Sequence, residues 1–94
     1  LDALNLLVTD YPKDASLLKA RAEIEVEMNT LDLALLDLEN AARITPHDAD
    51  IYVMCGDIYM AQGKKREAYV AYEKAVELGI PRPQLQDKLK ASKK

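Results

Sequence analysis

The stretch that decides the fold is ADIYVMCGDIYMAQGKKREAYVAYEKAVELGIPR, residues 49–82. Apolar and small side chains recur at helical spacing in both halves of this stretch, and Gly63 interrupts the pattern between them. Asp48, which lies two residues after a proline, is a plausible N-cap for the first half. The stretch therefore predicts two helices joined by a short turn.

Residues 15–48 repeat this plan 34 positions earlier. Asn29 interrupts the helical pattern of this unit at nearly the position that Gly63 has in the later unit. Asp14 precedes the first helix of its unit, as Asp48 precedes the first helix of the later unit. Identical small or apolar residues recur at the positions where two helices pack: Ala15 and Ala49, Ile24 and Ile58, Ala34 and Ala68, Ala41 and Ala75. Self-similarity at a fixed period of this length is typical of helical repeat proteins.

The chain as a whole is predicted to be all-α, with no strand. Gly79 suits the position just after a helix, and Leu85 and Leu89 are the apolar anchors of a final polar helix that resembles a terminal cap. The predicted helices span residues 1–11, 15–28, 31–44, 49–62, 65–79 and 83–92.

The second unit resembles the tetratricopeptide repeat family, and the first unit is similar to it. The resemblance rests in the second unit on Tyr52, Cys55, Gly56, Tyr59, Ala68, Tyr72 and Ala75, and in the first on Leu18, Ala22, Ala34, Leu38, Ala41 and Pro46. It implies antiparallel helical hairpins stacked in a right-handed superhelix, an α-solenoid fragment. It divides a single domain, 1–94, into the second helix of a preceding repeat at 1–14, repeats at 15–48 and 49–82, and a capping helix and tail at 83–94.

Two residues of the first unit depart from the family pattern. Arg21 and Glu25 stand where the family usually has apolar or aromatic residues. They are four residues apart on a helix, which predicts an ion pair between them. The alternative is a polar seam that contacts another repeat or a partner.

Charge is distributed unevenly along the chain. The formal net charge of −3 argues against binding to nucleic acid, which requires concentrated Lys and Arg. Residues 1–48 hold ten acids and four bases, a balance of −6, and residues 49–94 hold six acids and nine bases, a balance of +3. This asymmetry reflects solvated helix faces or, alternatively, a polarised scaffold that orients its partner. No apolar run is long enough to insert into a membrane, and the compartment stays open, with the cytoplasm slightly favoured.

Residues for catalysis or metal binding are scarce. His47 is the single imidazole and is predicted to lie exposed in a turn, whereas Cys55 lies at the packed phase of its helix and has no second thiol. Phosphate-binding, dinucleotide-binding and common zinc motifs do not occur. The sequence therefore predicts a non-enzymatic protein without a cofactor.

The resemblance also implies a site, because the first helix of each repeat lines the concave side of the superhelix. The residues at that phase are Lys19, Glu23, Val26, Glu27, Asp50, Val53, Met54, Asp57, Met60 and, on the last helix, Lys88. Such a groove suits a protein or peptide partner with basic and apolar side chains. Chaperone-binding members of the family grip a C-terminal carboxylate with basic and amide residues. Lys19 matches one of these positions, but Glu23 and Asp57 would repel the carboxylate.

The alternative function is a structural spacer that stacks on further repeats of a longer chain. That interpretation predicts self-association through an exposed apolar first helix carrying Leu4, Leu6, Leu7 and Val8.

Overall fold

The computed structural model describes residues 14–93, and this part of the chain is all-helical. It contains five α-helices and no strand: α1 Ala15–Glu27, α2 Leu31–Ile44, α3 Ala49–Ala61, α4 Lys65–Glu77 and α5 Arg82–Ser92. Each helix confirms a predicted one to within two residues. The predicted helix over 1–11 lies outside the described residues.

Aspartate side chains start the first helix of each hairpin, as the sequence predicts. The Asp14 carboxylate accepts a hydrogen bond from the backbone N–H of Ser16 at 3.0 Å, and the Asp48 carboxylate accepts one from Asp50 at 3.1 Å. Each side chain thereby satisfies a backbone donor that the helix itself leaves unpaired. The N-caps of α2 and α4, Thr30 and Lys64, make no side-chain capping bond.

Helix α1 ends with a residue in the left-handed region of backbone space, Asn29, with φ of +61°. The backbone N–H of Asn29 donates to the carbonyl oxygen of Val26, and the N–H of Thr30 donates to that of Glu25 at 2.8 Å. This pair of bonds is the Schellman arrangement. It satisfies the last carbonyl groups of α1 and turns the chain towards α2.

Two later helix ends repeat this geometry with glycine. Gly63 after α3 and Gly79 after α4 have φ of +77° and +123°. The N–H of Lys64 reaches back to the carbonyl of Tyr59, and that of Ile80 reaches back to Ala75. The break at Gly63 and the position of Gly79 after a helix are therefore confirmed.

The described part of the chain divides into two compact units, with the boundary between Pro46 and His47. In the first unit α1 packs against α2. The fully buried positions of this hairpin hold small and aliphatic side chains, among them Ala22, Ala34, Leu38 and Ala41. Alanines let the two helices approach closely, so a small hairpin is packed without an aromatic side chain at these positions.

In the second unit α4 packs against both α3 and α5. Its core consists of Ala68, Tyr72 and Ala75 from α4 with Leu85 and Leu89 from α5. The two leucines are the predicted apolar anchors of the last helix, and both are buried. The last helix is thereby fixed to α4.

Candidate interaction surfaces

The residues predicted to line a groove lie on α1, α3 and α5, and none of them is buried. Five are exposed: Glu23, Val26, Glu27, Asp50 and Asp57. The other five are half-buried: Lys19, Val53, Met54, Met60 and Lys88. All ten therefore present atoms at the surface.

Three side chains from different helices of the second unit meet at Asp57 on α3. Its carboxylate accepts a hydrogen bond from the Tyr72 hydroxyl at 2.6 Å and two from Nζ of Lys88 at 2.7 and 2.9 Å. Lys88 also lies over the Tyr72 ring, 5.8 Å from its centre. The network ties α3, α4 and α5 together.

This network changes what Asp57 can offer a partner. Its negative charge is neutralised locally by Lys88, so the expected repulsion of an anionic ligand by Asp57 is weakened. Burial, and then the bond to Asp57, raise the pKa of Tyr72, which keeps the hydroxyl protonated as the donor. Asp57 and Lys88 thus stabilise the unit as well as contributing to its surface.

Two other predicted residues also have a structural role. Val53 and Met60 pack against the core of the second unit from its margin. On α3 the remaining candidates, Asp50 and Met54, are outside that cluster. Substitutions at Asp50 and Met54 therefore perturb the surface with less effect on packing.

In the first unit, the polar residues that depart from the family pattern are joined to α2. Arg21 on α1 donates from Nε to Oδ2 of Asp37 at 2.8 Å and from a terminal nitrogen to Oδ1. Asp37 is only 2% exposed, and its buried carboxylate needs the bidentate partner that a guanidinium supplies. Arg21 thus forms a bidentate pair with Asp37, and the ion pair with Glu25 stays a prediction.

Glu25 is buried beside this ion pair, and its Oε1 atom has no hydrogen-bond partner. Burial, and then hydrogen bonding to Asp37, raise the pKa of Glu25 to about 7. For Asp37, hydrogen bonds from Arg21 and Glu25 outweigh the effect of burial and lower the pKa. Below about pH 7, Glu25 is therefore the carboxyl group of this pair that carries a proton. No sequence signal marks this cluster, because Asp37 lies 16 residues from Arg21, on the other helix of the hairpin.

Residues 14–93 contain no group of three or more His, Cys, Asp and Glu side chains that could hold a metal ion. His47 is exposed in the turn before α3, as predicted, and Cys55 is half-buried. Over the same residues, no helix is long and apolar enough to cross a membrane.

Comparison with known families agrees with the helical hairpins. A family model described as a tetratricopeptide repeat-like domain matches residues 15–93, and no curated protein matches the chain. Repeats of this kind are generally non-catalytic and serve as protein-interaction or repeat scaffolds. With its capped hairpins and a match over most of its length, the chain belongs to the tetratricopeptide repeat-like family.

Proposed function

We propose that this chain is a protein-interaction scaffold that binds a peptide segment of a partner through its predicted groove residues. The observation that supports the proposal most directly is the accessibility of the ten residues at the groove phase, none of which is buried. Groove recognition needs exposed side chains on a rigid helical frame, and both hairpins provide one.

The side chains of this surface favour a partner with basic and apolar residues. Glu23 and Glu27 on α1 and Asp50 on α3 are exposed acids. Val26 is 39% exposed, and Met54 adds a flexible thioether that adapts to different side chains. Acids orient a basic segment, and apolar contacts provide affinity.

The same surface is poorly suited to a C-terminal carboxylate. Lys88 already donates to Asp57, so its charge is compensated within the second unit. Glu23 and Asp50 add exposed negative charge. An acidic C-terminal peptide is expected to bind this surface weakly or not at all.

The test reverses exposed charges and leaves the core intact. The full chain, the variant Glu23→Lys/Asp50→Lys and the control Glu39→Lys/Glu77→Lys are used to capture partners from a source lysate. The control reverses two exposed acids on the second helices, α2 and α4, and so matches the change in net charge. Circular dichroism establishes that all three proteins are helical.

A captured partner that is lost with Glu23→Lys/Asp50→Lys and kept by the control supports the groove. Titration of a basic and apolar peptide from that partner then measures the loss directly. Retention by both variants, equal loss from both, or capture of no partner overturns the proposal.

One observation favours a second function, a spacer that stacks on further repeats. Leu33 and Leu36 on α2 are 52% and 51% exposed and lie one helical turn apart. Exposed aliphatic pairs of this kind promote association. If the spacer function holds, Leu33→Gln/Leu36→Gln reduces self-association in analytical ultracentrifugation, whereas unchanged sedimentation excludes that surface. The predicted sticky helix with Leu4 and Leu7 lies outside the described residues.

A further inference from the structure

The second unit has a groove between α4 and α5, apart from the surface discussed above. Its first part lies where α4 begins and α5 ends, with a volume of about 620 Å³. That volume is within the range of ligand-binding clefts. Four basic residues, Lys64, Lys65, Arg66 and Lys93, line it, and Glu67 is the single acid among its lining residues.

The second part of the groove adjoins the first at Tyr69 and Lys93, which line both. It has a volume of about 350 Å³ and is more apolar, because Pro83 and Leu89 contribute to its wall. Lys90 adds a further cation at this end. The groove thus combines a strongly basic part with a smaller apolar part.

All but one of the cations that line this groove differ from the other cations of the second unit in their pairing. Outside the groove, Lys74 pairs with Glu77 and Lys88 with Asp57. Arg82, which lines the second part of the groove, pairs with Glu73. By contrast, the remaining five described cations of this unit have no acidic partner within residues 14–93. All five line the groove: Lys64, Lys65, Arg66, Lys90 and Lys93.

We infer that this groove is a second binding site, and that its ligand is an acidic peptide segment with an apolar side chain. Carboxylates of the segment contact Lys64, Lys65 and Lys93, and the apolar side chain lies against Pro83 and Leu89. Unpaired cations attract such a ligand at long range, and the apolar wall gives it a fixed position. An acidic segment with an apolar side chain uses both the cations and the apolar wall, whereas inorganic phosphate would use only the cations.

The probe is a short fluorescein-labelled peptide in which aspartates and glutamates flank a leucine, titrated into the full chain and followed by fluorescence anisotropy. Two control peptides replace the acids by their amides or the leucine by serine. Inorganic phosphate, a single-stranded oligonucleotide and anionic lipid vesicles are added as competitors, which separates a protein ligand from other anions.

Three charge reversals test the location of the site. Lys65→Glu and Lys93→Glu each change one groove cation, and Lys74→Glu is the control, an exposed lysine of α4 outside the groove. We expect each groove variant to weaken peptide binding about fivefold or more and the control to have little effect. Rising salt should weaken binding to the unmodified chain.

Backbone chemical shifts of the full chain give the second readout. Shifts confined to residues 63–69 and 82–93 support the groove. No detectable peptide binding, equal weakening by Lys74→Glu, shifts on α1 and α3, or displacement by phosphate at low concentration overturns the inference. Because Glu23→Lys/Asp50→Lys leaves these cations unchanged, failure of the proposed function and failure of this second site are distinguishable.

Discussion

A Cβ atom on Gly56 would lie 2.5 Å from Cε1 of Tyr72. The ring belongs to the core of the second unit and is 1% exposed, so it has no free space to move into. Glycine therefore allows α3 and α4 to approach closely enough to bury a tyrosine. In the first unit Ala22 corresponds to Gly56 and Leu38 to Tyr72. The residue at the glycine position is therefore larger there, and the residue that packs against it is smaller.

We expect Gly56→Ala to destabilise the protein, because the added methyl group must displace the Tyr72 ring. The cost is about 1–3 kcal/mol, as for other overpacked cores. It exceeds any gain from the better helix propensity of alanine, which is about 1 kcal/mol. Urea unfolding followed by circular dichroism measures the difference.

The control is the same change in a Tyr72→Leu background. That background reproduces the residue pair of the first unit, so Gly56→Ala should cost clearly less there than in the unmodified chain. An equal cost in both backgrounds would show that the clash with the ring is not the cause.

Glu25 makes the stability of the first unit dependent on pH. Its pKa is about 7 in the folded protein, against 4.5 for an ordinary glutamate. Between these values the folded state keeps a proton that the unfolded chain has released. The contribution of Glu25 to the free energy of unfolding should therefore be largest below about pH 4.5, and it should fall as the pH rises towards about 7.

Glu25→Gln removes this dependence, because the amide N–H of glutamine can donate a hydrogen bond to Asp37 at any pH. We expect the variant to be more stable than the unmodified chain above pH 7, by about 1–3 kcal/mol. Chemical denaturation across the pH range tests this. Glu23→Gln removes one carboxylate from the exposed face of the same helix and should leave the profile unchanged, and an unaltered profile in Glu25→Gln would contradict the assignment.

The helices could be predicted from sequence because their signals are local. Asp14 and Asp48 cap helices through hydrogen bonds two or three residues away, and Gly63 and Gly79 occupy backbone conformations that favour glycine. The period of 34 residues then places equivalent helices in equivalent hairpins.

The polar contacts between helices were not predictable in the same way. The sequence places Asp57 and Lys88 among the predicted groove residues, but it does not show that they bond to each other, because they lie 31 residues apart. Arg21 has Glu25 one turn away and Asp37 on the next helix, and the bidentate geometry with Asp37 depends on how α1 and α2 pack. Periodicity shows which face is apolar and leaves the partner of each charge undetermined.

Glycine should replace Asn29 without a loss of stability, whereas alanine should destabilise the protein. Its φ of +61° is unfavourable for residues with a Cβ, and asparagine tolerates it better than most. We expect Asn29→Ala to cost about 1 kcal/mol and Asn29→Gly to be neutral or slightly stabilising. Thermal unfolding of both variants measures this, and equal effects of the two would exclude backbone strain as the reason.

The two bonds to Asp57 should respond differently to salt. The Tyr72 hydroxyl belongs to a buried side chain, so Tyr72→Phe should cost about 0.5–1.5 kcal/mol at any ionic strength. The ion pair joins side chains that are 43% and 48% exposed, so Lys88→Met, which retains the apolar stem, should cost under about 1 kcal/mol and lose that effect in high salt. Denaturant unfolding at low and high salt compares the variants. If the Lys88→Met cost persists in high salt, the lysine acts through its packing on the Tyr72 ring; if the Tyr72→Phe cost disappears, the hydroxyl is not held by Asp57.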